Sequence, residues 1–162
     1  MDVLSVSNRI ASTQLSEQLK DALWFTPTSQ SIHIIALSVV FACALLISLR
    51  LAGVGRAAQP LHIAIRKKTR FMYVGLVALL ITGALQTIAE PERQFGSPAF
   101  WIKMVLIVFG LLLTWWVERS VRREPQRWED TAHRPAWSRP YALAYVATWI
   151  AIIFCGRFIG YT

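Results

Sequence analysis

Four long apolar stretches, each close to twenty residues, run through a chain of 162 residues. A helix needs ~20 apolar residues to cross the ~30 Å hydrocarbon core of a bilayer. The sequence therefore predicts an all-α fold, a bundle of four transmembrane helices that occupies residues 31–162. The predicted spans are about 31–49, 71–89, 100–117 and 141–159. Such a chain has little length left for a soluble catalytic domain, so its function is expected in or at the membrane.

Residues 1–30 are predicted to form a separate N-terminal part on the periplasmic side. Within it, 10–25 reads as an amphipathic helix in the membrane interface, with apolar residues such as Ile10 and Leu15 mostly on one side. Pro27 is expected to end this helix, because proline lacks a backbone N–H and biases the residue before it away from helix. No removable signal peptide is recognised, so the first span is expected to target the chain.

The distribution of Lys and Arg predicts the orientation. Outside the spans, two precede the first span, six lie at 50–70, one lies at 90–99 and six lie at 118–139. Cytoplasmic loops of membrane proteins carry such an excess, so both chain ends are predicted to be periplasmic, in a bacterial inner membrane. The net charge of +8 would suggest nucleic acid in a soluble protein. Here it is explained by basic loops that face anionic headgroups.

His33 lies about one turn inside the first predicted span, on the side opposite to the basic loops. Polar side chains within lipid are costly and usually face the bundle interior, so this imidazole is a candidate axial ligand of haem iron. The alternative is an interfacial histidine bonded to a neighbouring hydroxyl or carbonyl group, which is the commoner situation. His62 and His133 lie in the basic loops, roughly 25–30 Å away along a helix. A haem held by two histidines of this chain is therefore not expected.

Three further residues share the depth of His33: Lys103 and Met104 at the start of the third span, and Arg157 near the end of the fourth. His and Met form a known axial pair for haem iron, and Lys or Arg suits haem propionates. The alternatives are cations that extend to the headgroups and a methionine that only packs. Helical spacing puts Lys103 on a stripe with Gly110 and Thr114, whereas Met104 lies ~100° away and is the weaker candidate.

Four motifs resemble those of a family of small bacterial inner-membrane proteins whose domain has no known function. Members read W-x-x-P, a histidine a few residues later and D-L-R-L-L-G, followed by T-G, N-P-x-F-x-x-K and W-x-x-x-x-x-G-R-x-I-A-Y. The corresponding segments are WFTPTSQSIHIIALSVVFACALLISLRLAG (24–53), ITG (81–83), SPAFWIK (97–103) and WIAIIFCGRFIGY (149–161). The resemblance covers about residues 15–162 and implies the four-span fold.

The resemblance also implies functional positions, because His33, Lys103 and Arg157 occupy motif positions. The sequence departs from the family in two places. Ser48 stands where the family has Asp, so an ion pair from that carboxylate is absent, and 114–118 (TWWVE) stands where many members have a polar Asn and a His. The family is distantly similar to copper-resistance and b-type-cytochrome-like four-helix membrane proteins.

Two hypotheses from different functional classes follow. In the first, the protein binds haem b or a quinone in the periplasmic leaflet through His33, Lys103 and Arg157, with Met104 as a weaker candidate, and takes part in electron transfer. His33 would be the metal ligand. In the second, it is a cofactor-free accessory or anchor subunit of a larger inner-membrane complex.

The expected partners are the lipid bilayer and either a larger membrane complex or further copies of this chain, with no nucleic acid. The predicted spans contain no Ser/His/Asp, Cys/His or paired-carboxylate arrangement. The chain is therefore expected to be at most an electron-transfer subunit and not an enzyme by itself.

Overall fold

The computed structural model describes residues 3–54, 59–129 and 135–160, and the secondary structure of this part of the chain is helical throughout. His133 lies outside the described residues. The helices, in chain order, are α1 (Val3–Ala11), α2 (Gln14–Asp21), α3 (Phe25–Leu51), α4 (Leu61–Ala89), α5 (Pro91–Gly96), α6 (Pro98–Arg123), α7 (Pro125–Glu129) and α8 (Ser138–Phe158).

Four of these helices, α3, α4, α6 and α8, are long and apolar enough to cross a membrane, which confirms the predicted all-α fold with four candidate transmembrane helices. Their outward surface is apolar, because side chains such as Val74, Leu80, Val105 and Leu143 are exposed by two thirds or more. So many apolar side chains on the outside of a bundle would be unfavourable in water, which means that this surface contacts the lipid bilayer.

The spanning helices are longer than the apolar stretches, and they begin earlier than the sequence predicted. α3 starts at Phe25 and α4 at Leu61, so polar residues before each apolar stretch are already helical. Pro27 lies in the first turn of α3 and does not terminate a helix. A proline is tolerated there because the backbone N–H groups of the first turn have no intrahelical partner.

The segment predicted as one amphipathic helix over 10–25 forms parts of two short helices. α1 ends at Ala11, and Thr13 caps α2 by accepting a hydrogen bond from the Ser16 backbone N–H. Threonine is a favoured N-cap residue, which explains why the helix is interrupted there. α1 packs on α5, and α2 packs on α4 and α3.

The four spanning helices form a closed ring in which α3 packs on α4 and α8, and α6 packs on α8 and α4. Neighbours are antiparallel. From α3 to α4, for example, Ser29 contacts Gln86 and His33 contacts Thr82. The basic segments at the start of α4 and the end of α6 therefore lie at one end of the bundle, and His33 lies toward the other end.

α3 and α4 approach each other closely at Gly75. A Cβ atom placed there would lie 2.7 Å from Cγ2 of Val40 and 3.4 Å from the backbone oxygen of Ala36. Val40 is fully buried, and a β-branched side chain has little rotamer freedom in a helix. Only glycine lets the two helices pack at this distance, because small residues allow close approach of helix backbones in lipid.

The half of the bundle nearer the basic end is filled by a hydrogen-bonded core. The Tyr145 hydroxyl lies 2.8 Å from the Thr114 hydroxyl and 3.5 Å from the Met72 sulfur, so it joins α8 to α6 and α4. Next to it, Gly110 packs against the Trp149 ring. Tyr145, Thr114 and Met72 are all fully buried. This half of the bundle is fixed by side chains of three helices.

We expect Gly75→Ala to destabilise the protein by about 1–3 kcal/mol, because the new methyl group overlaps Val40 and forces α3 and α4 apart. Thermal unfolding in detergent, followed by circular dichroism, measures the effect. Gly83→Ala is the matched control on the same helix, since a Cβ there meets only Cε1 of His33 at an ordinary 3.6 Å. Equal unfolding temperatures for the two variants would show that Gly75 does not limit the approach of the helices.

Candidate functional site

A cavity of about 510 Å³ opens at the end of the bundle opposite to the basic segments. This His33 cavity is lined by side chains from α3, α4, α5, α6 and α8, and its polar lining includes Gln30, His33, Gln86, Lys103 and Arg157. Apolar side chains of α3 and α8 complete the wall. The volume falls within the ~300–1,000 Å³ that small-molecule sites occupy.

Three of the four residues selected from the sequence line this cavity: His33 from α3, Lys103 from α6 and Arg157 from α8. The fourth, Met104, is 41% exposed on the outer surface of α6 and does not line the cavity. Consecutive residues of a helix point ~100° apart, so Lys103 and Met104 cannot both face the bundle interior. The structure therefore brings the imidazole and the two cations together and leaves the thioether outside.

The His33 ring is held in one orientation by α4. Its Nδ1 atom lies 2.7 Å from the Thr82 hydroxyl oxygen, and that hydroxyl donates its own hydrogen to the Ala78 carbonyl oxygen at 2.8 Å. A hydroxyl has a single hydrogen, so in this arrangement it accepts from Nδ1–H. The neutral ring then carries its proton on Nδ1 and presents Nε2 as an unprotonated acceptor. The described residues contribute no hydrogen bond to Nε2.

The alternative interpretation of His33 is an interfacial histidine bonded to a neighbouring hydroxyl or carbonyl group, and the Thr82 hydroxyl is such a partner. It does not compete with a role in ligand binding, since histidines that bind metals donate their second ring N–H to a neighbouring acceptor in the same way. One turn further along, Gln86 donates to the Ser29 hydroxyl at 3.3 Å. The polar side of α4 thus orients His33 through Thr82 and makes a second hydrogen bond to α3 through Gln86.

Lys103 is half-buried and extends toward α8. A Cβ atom at Gly156 would lie 3.5 Å from its Nζ and 3.8 Å from its Cε, so the end of the lysine side chain packs beside Gly156. Within 3–54, 59–129 and 135–160, Lys103 has no carboxylate partner at ion-pair distance. The cavity therefore contains an ammonium group that is free to bind an anion or a carbonyl oxygen.

α5 borders the outer end of the cavity. Arg93 forms an ion pair with Glu90 at 2.8 Å and donates to the Gly160 carbonyl oxygen at 3.0 Å, which ties α5 to the end of α8. Arg157, exposed at this end, adds a second cation to the cavity lining. The cavity is thus bounded by fixed helices on its sides and by this polar bridge at its end.

Several lining residues were missed by the sequence reasoning, among them Gln30 and Arg93. Gln30 precedes His33 by one helical turn, so i, i+3 spacing is the signal that could have found it. Arg93 belongs to a short helix between two spans, and no periodicity indicates which way such a residue faces.

A sequence model of a family of unknown function (DUF6644) matches residues 21–162. The chain belongs to this family. The resemblance to an uncharacterised family is therefore confirmed, whereas the more distant similarity to copper-resistance and b-type-cytochrome-like proteins stays a prediction. No curated protein and no solved structure matches the chain. Every residue that lines the His33 cavity falls within the DUF6644 match, so the cavity belongs to the family domain and not to α1.

We expect the neutral His33 ring of this DUF6644 protein to carry its proton on Nδ1, because the Thr82 hydroxyl donates to the Ala78 carbonyl oxygen and therefore accepts from the ring. Ring ¹⁵N chemical shifts measured by nuclear magnetic resonance report the tautomer, and the signal that is lost in His33→Gln identifies the residue. Thr82→Val should abolish the preference. Thr87→Val should keep it, since Thr87 donates to the Gly83 carbonyl oxygen and not to the ring. A proton on Nε2 in the unmodified protein would contradict this arrangement.

Proposed function

We propose that the His33 cavity binds the ring of a membrane quinone and that the protein takes part in membrane electron transfer. The observation that carries the proposal is the pairing of two complementary groups on one cavity. Among residues 3–54, 59–129 and 135–160, Lys103 is a hydrogen-bond donor without a carboxylate partner, and Nε2 of His33 is an acceptor without a donor. They reach the cavity from α6 and α3, which lie diagonally across the bundle.

These two groups match the chemistry of a quinone ring, which has an oxygen at each end. Reduction of a quinone to a quinol takes two electrons and two protons, and each ring oxygen changes from a carbonyl acceptor to a hydroxyl donor. Lys103 would donate to one oxygen. Nε2 of His33 would accept from the hydroxyl that forms on the other, and it would take up that proton when the quinol is oxidised. The second proton, from the hydroxyl beside Lys103, would pass to water at the open end of the cavity. The electrons would be exchanged with a separate redox protein of the membrane.

The surroundings of the cavity suit a quinone, whose ring is flat and whose tail is apolar. Ile34, Leu37 and Phe41 follow His33 along α3 and line the same cavity. Ile34 is 61% exposed on the outer surface of the bundle, so the apolar wall is continuous with the surface that contacts lipid. A ligand could enter from the membrane with its tail left among the acyl chains.

Haem b is the second candidate, and the fixed Nδ1–H of His33 favours it, because this is how ligating histidines are oriented. Lys103 and Arg157 would suit the propionates. The haem candidate lacks a residue for the second axial position among those that the structure describes. Met104 faces outward, and His62 lies in the first turn of α4 at the opposite end of the bundle. The described residues therefore supply one axial ligand, which fits a haem less well than the paired donor and acceptor fit a quinone.

The test is the binding of a short-tailed quinone analogue to the purified protein, followed by fluorescence quenching. Lys103→Met and His33→Gln should each weaken binding by about tenfold or more, since each removes a hydrogen bond worth roughly 1–3 kcal/mol in a buried site. Met104→Leu is the matched control, because Met104 neighbours Lys103 and faces outward. Equal affinity in all four proteins would contradict the proposal.

Absorption spectra of the oxidised and dithionite-reduced protein separate the candidates. We expect quinone in an organic extract of the protein purified from native membranes, and no Soret band. A Soret band that disappears in His33→Ala would show that the cavity binds haem and would contradict the quinone proposal. Protein that co-purifies with a larger complex and carries neither group would favour the accessory subunit.

A further inference from the structure

A second cavity, of about 300 Å³, lies at the opposite, basic end of the bundle, where α6, α7 and the start of α8 meet. Its lining includes three arginines, Arg119, Arg123 and Arg127, together with the rings of Trp116 and Trp137. We refer to it as the Arg119 cleft. It is separate from the His33 cavity, with which it shares no lining residue.

The charge of the cleft is positive. Arg127 is paired with Glu124 at 3.0 Å, which also lines the cleft. The guanidinium of Arg119 lies 5.5 Å from the centre of the Trp115 ring, a cation–π contact that leaves its charge in place. Arg123 has no carboxylate at ion-pair distance within the described part of the chain. The lining residues that the structure describes thus include three arginines and one glutamate, which leave two positive charges facing a small cavity.

The walls of the cleft are aromatic and rigid. Trp137 packs against Trp116 at 4.8 Å between ring centres and against Trp128 at 5.1 Å. Trp128 is almost completely buried, so these rings are held in place by the structure around them. Tryptophan rings prefer the headgroup level of a bilayer, where one edge is wet and the rest is apolar.

From this arrangement we propose that the Arg119 cleft binds the phosphate of an anionic phospholipid headgroup. Guanidinium groups bind phosphate oxygens in bidentate fashion, and basic pockets beside transmembrane helices bind acidic lipids. A lipid is favoured over free phosphate because the cleft continues into the lipid-facing surface of α6. Trp115 and Leu112, on the membrane side of Arg119, are both more than half exposed. The acyl chains would lie along these side chains while the phosphate meets Arg119 and Arg123.

The test is a titration of the full chain in detergent with phosphatidylglycerol or phosphatidylcholine, with bound lipids counted by native mass spectrometry. The unmodified protein should bind phosphatidylglycerol about tenfold more tightly than phosphatidylcholine. Arg119→Gln combined with Arg123→Gln should lower the affinity for phosphatidylglycerol by about tenfold or more. Inorganic phosphate at millimolar concentration should not displace the lipid.

Lys67→Gln combined with Arg70→Gln is the matched control. Both residues are exposed on α4 near the same end of the bundle, and the double substitution removes the same charge without touching the cleft. Its affinity for phosphatidylglycerol should change by less than about threefold. Equal losses of lipid affinity in the two double variants would mean that the lipid is held by diffuse electrostatic attraction, and this would overturn the proposed site. Displacement of the lipid by phosphate would overturn it as well. If the arginine variant does not fold, equal affinity of the unmodified protein for the two lipids would overturn it.

Discussion

The contact between Gly75 and Val40 fixes how α4 lies along α3, and the His33 cavity depends on it. Apolar side chains gain little by leaving lipid for another helix, so helices in a membrane are held together by close packing and interhelical hydrogen bonds. Here the Gly75 contact is followed, two turns along, by the bond between His33 and Thr82. A slide of one turn would leave the Nδ1–H without its partner and would turn Nε2 away from its present environment.

The same bundle is packed differently at its two ends. Near the basic end, Tyr145 fills the centre and joins three helices through its hydroxyl. Near the other end, Lys103 packs beside Gly156 of α8, and the interior is lined by polar groups that converge on a cavity. The packed half holds the helices in position, so that Lys103 and His33 are presented from rigid elements. Preorganised groups of this kind bind a ligand without a large ordering cost.

Much of this arrangement could be predicted from the sequence. Span length and hydropathy predicted four membrane helices, and antiparallel topology predicted that His33, Lys103 and Arg157 share a depth. The turn angle of a helix predicted that Met104 faces away from Lys103. Helix ends could not be predicted, because polar flanks such as those before α4 stay helical beyond the apolar stretch. The contribution of α5 depends on tertiary contacts that leave no periodic pattern. The predicted side of the membrane for each terminus stays a prediction.

The most direct test of the register between α3 and α4 is an engineered disulfide in a cysteine-free background, with Cys43 and Cys155 replaced by serine. Val40→Cys combined with Gly75→Cys should cross-link readily, because Val40→Cys removes one of the two methyl groups of the valine. A sulfur at the position of Val40 Cγ2 would lie 2.7 Å from a Cβ at Gly75, which is within disulfide reach. Val40→Cys combined with Val74→Cys should not, since Val74 is exposed on the outer surface. A cross-link in the second pair and none in the first would contradict the register and, with it, the His33 cavity.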